Sequence, residues 1–216
     1  MTSVAQPRAE PSAAIKIIEL PLVAATPESL AGYGRLVDDY AVAEIEIVTW
    51  PAQGWRPVDA GTGNEGGVTD GIFHFWWAGE VFYGRNEAVN DSYLLGWSRR
   101  PEEASETVAQ PERTRLLIAH ANYHPDGGQL FFPREATPFI APLALPGDDV
   151  KADDFVAFYC DGRQGLYIDP GVWHEAVVPL AGRAAFDDRQ GRVHARVSCN
   201  FVEEFGAYLS VPLRKP

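Results

Sequence analysis

Clusters of Gly, Pro, Asn and Asp break this chain into short apolar runs about ten residues apart, a rhythm that leaves room for many strands and few helices. Runs at 15–22, 44–50, 113–120, 129–132, 139–143, 155–160, 165–168, 175–178, 192–203 and 207–211 read as strands. The aromatic segments 72–77 and 80–83 flank Ala78-Gly79 and read as a hairpin, expected to cover one mouth of a barrel. Thr26-Pro27-Glu28-Ser29-Leu30 supplies an N-cap and a proline at the first helical position, so a short helix is expected there, ended by Gly32-Tyr33-Gly34. Residues 51–71 read as a long surface excursion, and 101–111 as an acidic, solvated connection. The pattern predicts a mainly β fold, a sandwich or barrel with one or two short helices.

With 216 residues, 46% of them hydrophobic, the chain is long enough for one domain over 15–216 with a sizeable core. The Ala/Pro/Ser-rich stretch 1–14 lacks a continuous apolar segment and reads as a disordered tail, not a signal peptide. No run approaches the roughly 18 apolar residues that span a bilayer, so a cytoplasmic location is expected. A net charge of -12 repels polyanions, which argues against nucleic acid or an anionic membrane as partner. Fifteen of the eighteen basic residues are arginines, which favours bidentate capture of a small carboxylate over Schiff-base chemistry. Cys160 and Cys199 lie inside apolar runs and are expected to be buried thiols.

Two histidine motifs stand out: Tyr123-His124-Pro125-Asp126-Gly127-Gly128-Gln129, and Asp169-Pro170-Gly171-Val172-Trp173-His174. Each places an imidazole in a Gly/Pro-marked turn beside an apolar run, where a small barrel brings them into one pocket for proton transfer, anion binding or metal ligation. His74, between Phe73 and Phe75, fits a core or rim position better than a ligand; His120 and His194 say less. A cupin-type jelly roll draws two histidines and a carboxylate from one motif and a third histidine from a later strand. Here the order is Asn122, His124, Gln129 and His174, with amides at two of those places. Such a set binds a divalent metal weakly unless Asp169 or Glu175 joins it, so the cofactor stays open.

The chain resembles the ureidoglycolate lyase family. The resemblance runs from Leu20-Pro21-Leu22 through Glu28-Ser29-Leu30-Ala31-Gly32-Tyr33-Gly34. Its most specific segments are His124-Pro125-x-Gly127-x-Gln129-x-Phe131-x-Pro133, Gly162-x-Gln164-Gly165 and Val172-Trp173-His174. Residues from about 51 to 100 match poorly, and Ile168-Asp169 stands where the family commonly has Tyr-His. The resemblance implies a cupin-like β-barrel, a homodimer, and a carbon-nitrogen lyase of purine and allantoin degradation that splits ureidoglycolate into glyoxylate and urea. It implies proton traffic through His124 and His174, with Gln129 orienting the ureido group or a reacting oxygen. His74, Trp76, Tyr83, Tyr123, Asp169 and Trp173 are expected around the substrate, with Arg85 clamping its carboxylate and Arg163 and Arg196 as alternatives. The Phe75-Trp76-Trp77 segment suggests walls suited to a larger ureide or amide. Two other readings remain at this stage: a metal-dependent isomerase or dioxygenase, and a non-catalytic binder of a small acid.

Overall fold

A computed structural model describes residues 15–45, 47, 54–63, 65–193 and 195–216. The tail expected over 1–14, His194, most of the strand expected at 44–50 and part of the 51–71 excursion lie outside the described residues. Among these, the strands are β1 (Lys16–Glu19), β2 (Leu22–Ala24), β3 (Gly34–Val37), β4 (Glu65–Ala78), β5 (Val81–Asn86) and β6 (Asp91–Trp97). There follow β7 (Arg115–Ile118), β8 (His120–Tyr123), β9 (Gln129–Pro133), β10 (Phe139–Ala144), β11 (Val156–Cys160) and β12 (Gly165–Ile168). The last are β13 (Trp173–His174), β14 (Val178–Pro179), β15 (Arg183–Val193), β16 (Val197–Asn200) and β17 (Ala207–Pro212), with one α-helix, α1 (Phe201–Phe205), and a 3₁₀ turn at Ala152–Asp154.

The strands make two sheets in a cupin-like β fold. One runs β1-β17-β7-β6-β5-β4-β15-β9-β12-β3 and the other β16-β8-β13-β10-β11-β2, with β14 also on β10. The N-terminal segment laces them together, because β1 pairs with β17 in the first sheet and β2 with β11 in the second, both in parallel. Phe186 of β15 marks the shared core: its ring meets Phe139 of the opposite sheet edge-on at 5.2 Å and Phe75 at 5.5 Å. Cys160 and Cys199 are free, buried thiols, as the sequence predicts.

Several local expectations change. Thr26 does cap its turn, its hydroxyl accepting the Ser29 N–H at 3.1 Å, but the Leu30 carbonyl takes the Tyr33 and Gly34 N–H groups and Gly32 turns left-handed at φ 84°. No helix follows. The helix sits instead at Phe201–Phe205, within a segment read as strand, where Asn200 Oδ1 accepts the Val202 and Glu203 N–H groups and Gly206 closes the other end at φ 59°. The aromatic hairpin forms, but β4 and β5 lie between β15 and β6, so it is a wall of the barrel and not a cover. Within the supposed excursion, β4 already begins at Glu65. Strands β6 and β15 fall outside the expected runs but for Arg192 and Val193, although β6 carries the short apolar run Tyr93-Leu94-Leu95.

Behind β13, Arg56 fixes the loop that backs the histidine strands. Only 7% exposed, it donates to both Glu204 oxygens at 3.0 and 2.7 Å and from Nε to the Asp148 carbonyl at 2.7 Å, while its guanidinium lies over the Trp173 ring. Asp148 also accepts the Tyr123 hydroxyl at 2.6 Å. Truncation removes these hydrogen bonds and the packing on Trp173, while Glu204 is left in contact with water. Arg56→Ala is therefore expected to lower the stability measured by urea unfolding by about 2 kcal/mol. The exposed Arg163, 3.7 Å from Asp161, should cost less than about 0.5 kcal/mol on truncation in the same assay.

Candidate active site

Strand alternation sends His120 and Asn122 of β8, and His124 just beyond it, to one side, where they line a cavity of about 200 Å³ between the two sheets. His174 enters from the end of β13, Gln129 from β9 and Arg196 from the residues before β16. The other wall comes from the first sheet and is mainly apolar, with Phe73, Tyr93, Leu95, Trp97 and Phe131 beside the amides of Asn86 and Gln190. One end of the cavity is therefore built for polar groups and the other mainly for carbon.

The two histidine motifs are tied together through their backbones. Gly171, at φ 79°, donates its N–H to the His124 carbonyl at 2.8 Å, so the turn ahead of β13 hangs on the first motif. His174 then lies in register with Asn122 on β8 and Leu143 on β10. The imidazole centroids are 5.0 Å apart. Each ring bonds a backbone carbonyl through Nδ1, His124 to Ala195 at 2.7 Å and His174 to Val172 at 2.8 Å. A carbonyl only accepts, so Nδ1 carries the proton and Nε2 is the basic nitrogen of the neutral ring.

His174 Nε2 and Asn122 Oδ1 are both buried without a protein partner among the described residues. Two such orphaned atoms side by side mark a place where a ligand supplies donors. Burial lowers the pKa of His174, outweighing its bond to the Val172 carbonyl and the nearby Glu175, so the ring is neutral and basic near pH 7.

A second pair lines the polar wall. Burial disfavours the charged form of His120, but Glu175, 3.5 Å away, more than offsets this and raises its pKa. Arg196 is anchored by Nε to Asp59 at 2.6 Å, and the same carboxylate oxygen accepts the Ser198 hydroxyl at 2.7 Å. The Arg196 guanidinium and the His120 imidazole thus line one side of the cavity.

Two buried carboxyls went unread in the sequence. Asp126 accepts the Ala195 N–H with both oxygens, at 3.1 and 3.2 Å, so it anchors the residue whose carbonyl holds His124; burial raises its pKa. Asp188, fully buried on β15, accepts Gln129 Nε2 at 2.8 Å and Asn86 Nδ2 at 3.0 Å, and burial pushes its pKa up to about 7. The Asp-Gly and Asp-Asp contexts look like turn and surface chemistry in the sequence, which is why neither drew notice.

Of the residues expected at the site, His124, His174 and Gln129 line the cavity together. Tyr123 and Trp173 pack behind it, edge to face at 4.7 Å, bonding Asp148 and the Gly147 carbonyl. His74, Trp76, Tyr83 and Arg85 project from the outer face of the hairpin: His74 bonds Glu87 at 3.0 Å, Tyr83 bonds Glu106 at 2.5 Å, Trp76 stacks on Tyr83, and Arg85 is exposed opposite His74. Period-two alternation puts Phe73, Phe75 and Asn86 inward and these four outward. Asp169 is half-exposed and lies 3.8 Å from Arg35. Arg163 is also on the surface, so of the three arginines Arg196 alone lines the cavity.

Among the described residues, no three His, Cys, Asp or Glu side chains converge as metal ligands. Two imidazoles with the Asn122 and Gln129 amides make a poor set for a tightly held transition ion, and the carboxylates expected to complete it are turned elsewhere, Asp169 to Arg35 and Glu175 to His120.

The family model for ureidoglycolate lyase matches residues 87–201, a span that contains every polar group of the cavity named above except Asn86 and Asp59. A ureidoglycolate lyase of Azotobacter vinelandii is 38% identical over 73 residues, 34% of this chain and 44% of the relative. One from Pseudomonas savastanoi pv. phaseolicola is 37% identical over 78 residues, 35% of this chain and 46% of the relative. One from Pseudomonas paraeruginosa is 37% identical over 90 residues, covering 41% and 51%. The chain spans about half the length of the curated relatives it matches.

The lowered pKa of His174 has a sign that can be measured. Below about pH 6.5 the unfolded chain protonates this imidazole while the folded one resists, so stability falls as pH drops through that window. Between pH 7.5 and 5.5 the wild type should lose more urea-unfolding stability than His174→Gln, whose amide does not titrate.

Proposed function

Because the chain belongs to the ureidoglycolate lyase family, we propose that it cleaves ureidoglycolate, or a related ureide or amide, to an oxo acid and urea. The observation that carries this reading is the pair of unpartnered buried acceptors, His174 Nε2 and Asn122 Oδ1, beside a second imidazole. A carbinol ureide brings an O–H and N–H groups to the same carbon, which are the donors those atoms lack.

In the proposed reaction His174 Nε2 takes the proton of the carbinol hydroxyl. The C–O bond becomes the carbonyl of glyoxylate, the C–N bond breaks, and His124 Nε2 relays the proton taken by His174 to the departing nitrogen, which leaves as urea. Neutral His174 suits the base, and the fixed Nδ1–H bond aims each ring so that Nε2 meets the substrate. Arg196 and charged His120 hold the carboxylate, while Gln129 orients the ureido group. The apolar wall of Phe73, Tyr93, Leu95 and Trp97 supports ureides carrying a carbon substituent as further substrates.

Among the described residues no helix is long and apolar enough to cross a membrane. We assign the protein to the cytoplasm and to a homodimer; sedimentation at twice 23.7 kDa is the expected result, and a monomer mass would contradict it.

His174→Ala should reduce release of urea and glyoxylate from ureidoglycolate by at least about a hundredfold while leaving the circular dichroism spectrum unchanged. Arg196→Gln should act mainly on KM. Unchanged turnover in folded His174→Ala would sink the assignment of the base. Release of ammonia in place of urea would sink the lyase reading.

A further inference from the structure

Asp188 is a carboxyl with no exposed surface and, among the described residues, no cation paired to it. Its neighbour Arg189 points to the opposite face of β15 and pairs with Asp70 at 2.6 Å. Burying a carboxyl this way costs stability that an apolar residue would not. Among the described residues its side-chain hydrogen-bond partners are two amides of the cavity lining, Gln129 and Asn86.

The donors and acceptors form a chain with one solution. The Ala88 N–H donates to Asn86 Oδ1 at 2.9 Å, which fixes that oxygen and obliges Asn86 Nδ2 to face Asp188 Oδ2. Asp188 Oδ1 then meets Gln129, and the ionised carboxylate, the form that prevails above pH 7, can only accept, so in that form Gln129 must offer its nitrogen. We propose that Asp188 is a positioning residue that sets the hydrogen-bond polarity of the cavity, turning the carbonyl oxygen of Gln129 toward the bound molecule so that the site selects ureides presenting N–H donors there. The substrate half of this inference rests on the ureide-cleaving reading; the orientation of the amide does not. That burial pushes the Asp188 carboxyl up to about 7 fits a group kept for what it does and not for stability.

The same chain of bonds predicts what Asp188→Asn does. Asn86 still donates, so residue 188 must give it the amide oxygen and turn its own NH₂ to Gln129. Gln129 then accepts with Oε1 and presents N–H groups to the cavity, reversing its polarity. KM for ureidoglycolate should rise about tenfold or more with kcat changed less than about threefold, the pattern of lost uniform binding. Adding Gln129→Glu to that variant restores an acceptor facing the substrate and should return KM to within about threefold of wild type. A KM unchanged in folded Asp188→Asn, or no recovery in the double variant, overturns the proposal.

An independent measurement needs neither substrate nor variant fold. In ¹⁵N-labelled wild type at pH 8, one Nε2 proton of Gln129 should be shifted downfield and protected from exchange by its bond to a carboxylate; a resonance at the solvent-exposed position overturns the proposal. If wild type turns over no ureidoglycolate while this signature is present, the lyase reading fails and the role of Asp188 stands.

Discussion

Everything at the candidate site depends on each central imidazole giving its Nδ1–H to a backbone carbonyl, His124 to Ala195 and His174 to Val172. Those two bonds choose the tautomer, aim the rings and direct both basic nitrogens away from the main chain. They hold only if the carbonyls are themselves fixed. The Val172 carbonyl belongs to the Pro170-Gly171 turn, which is hung on His124 through the Gly171 N–H, and Ala195 is held by both oxygens of Asp126. Each histidine motif thus helps to position the other, and a change in either turn would be felt at both rings.

The same residue type does two jobs at two depths. His174, nearly out of reach of water, is kept neutral by desolvation, whereas half-exposed His120 is pulled toward its charged form by Glu175. One cavity therefore holds an imidazole biased toward the neutral base and another biased toward the anion-binding charged form, without any lysine. Arg196 adds a permanent charge to the His120 side, and its anchor, Asp59, holds it from the loop, while Glu175 lines the wall beside His120.

How much of this was legible in the sequence follows from which way the strands face. The apolar rhythm revealed β9 to β12 and β17 because their inward residues are hydrophobic, and the turn chemistry of His124-Pro125 and Pro170-Gly171 revealed the two site histidines. Strand β15 was hidden because its inward positions after Phe186 are Asp188 and Gln190, polar residues facing the cavity and its floor. A strand that carries function loses the alternation by which strands are recognised. His74, Trp76, Tyr83 and Arg85 were misplaced for the complementary reason: the sequence shows an aromatic hairpin but not its phase, and a shift of one residue exchanges wall for surface. Arg196 could have been preferred over Arg85 from its position two residues before Ser198 on the strand that pairs with β8, had that pairing been known.

The division of the cavity into a polar and an apolar wall follows from the two sheets having different partners. The second sheet brings β8 and β13 together, and with them His120, Asn122 and His174 in adjacent positions; the first sheet brings β4, β6 and β9, whose inward residues there are mainly aromatic and aliphatic. Apolar surface across from orphaned acceptors keeps water from competing for them and strengthens each hydrogen bond that a ligand does make. Three amides interrupt the apolar side, Gln129 on β9 two residues before Phe131, Asn86 on β5 and Gln190 on β15, and the buried Asp188 acts on the first two. The cost of burying a carboxyl is thus tied to ordering two of the amides that interrupt an otherwise apolar wall.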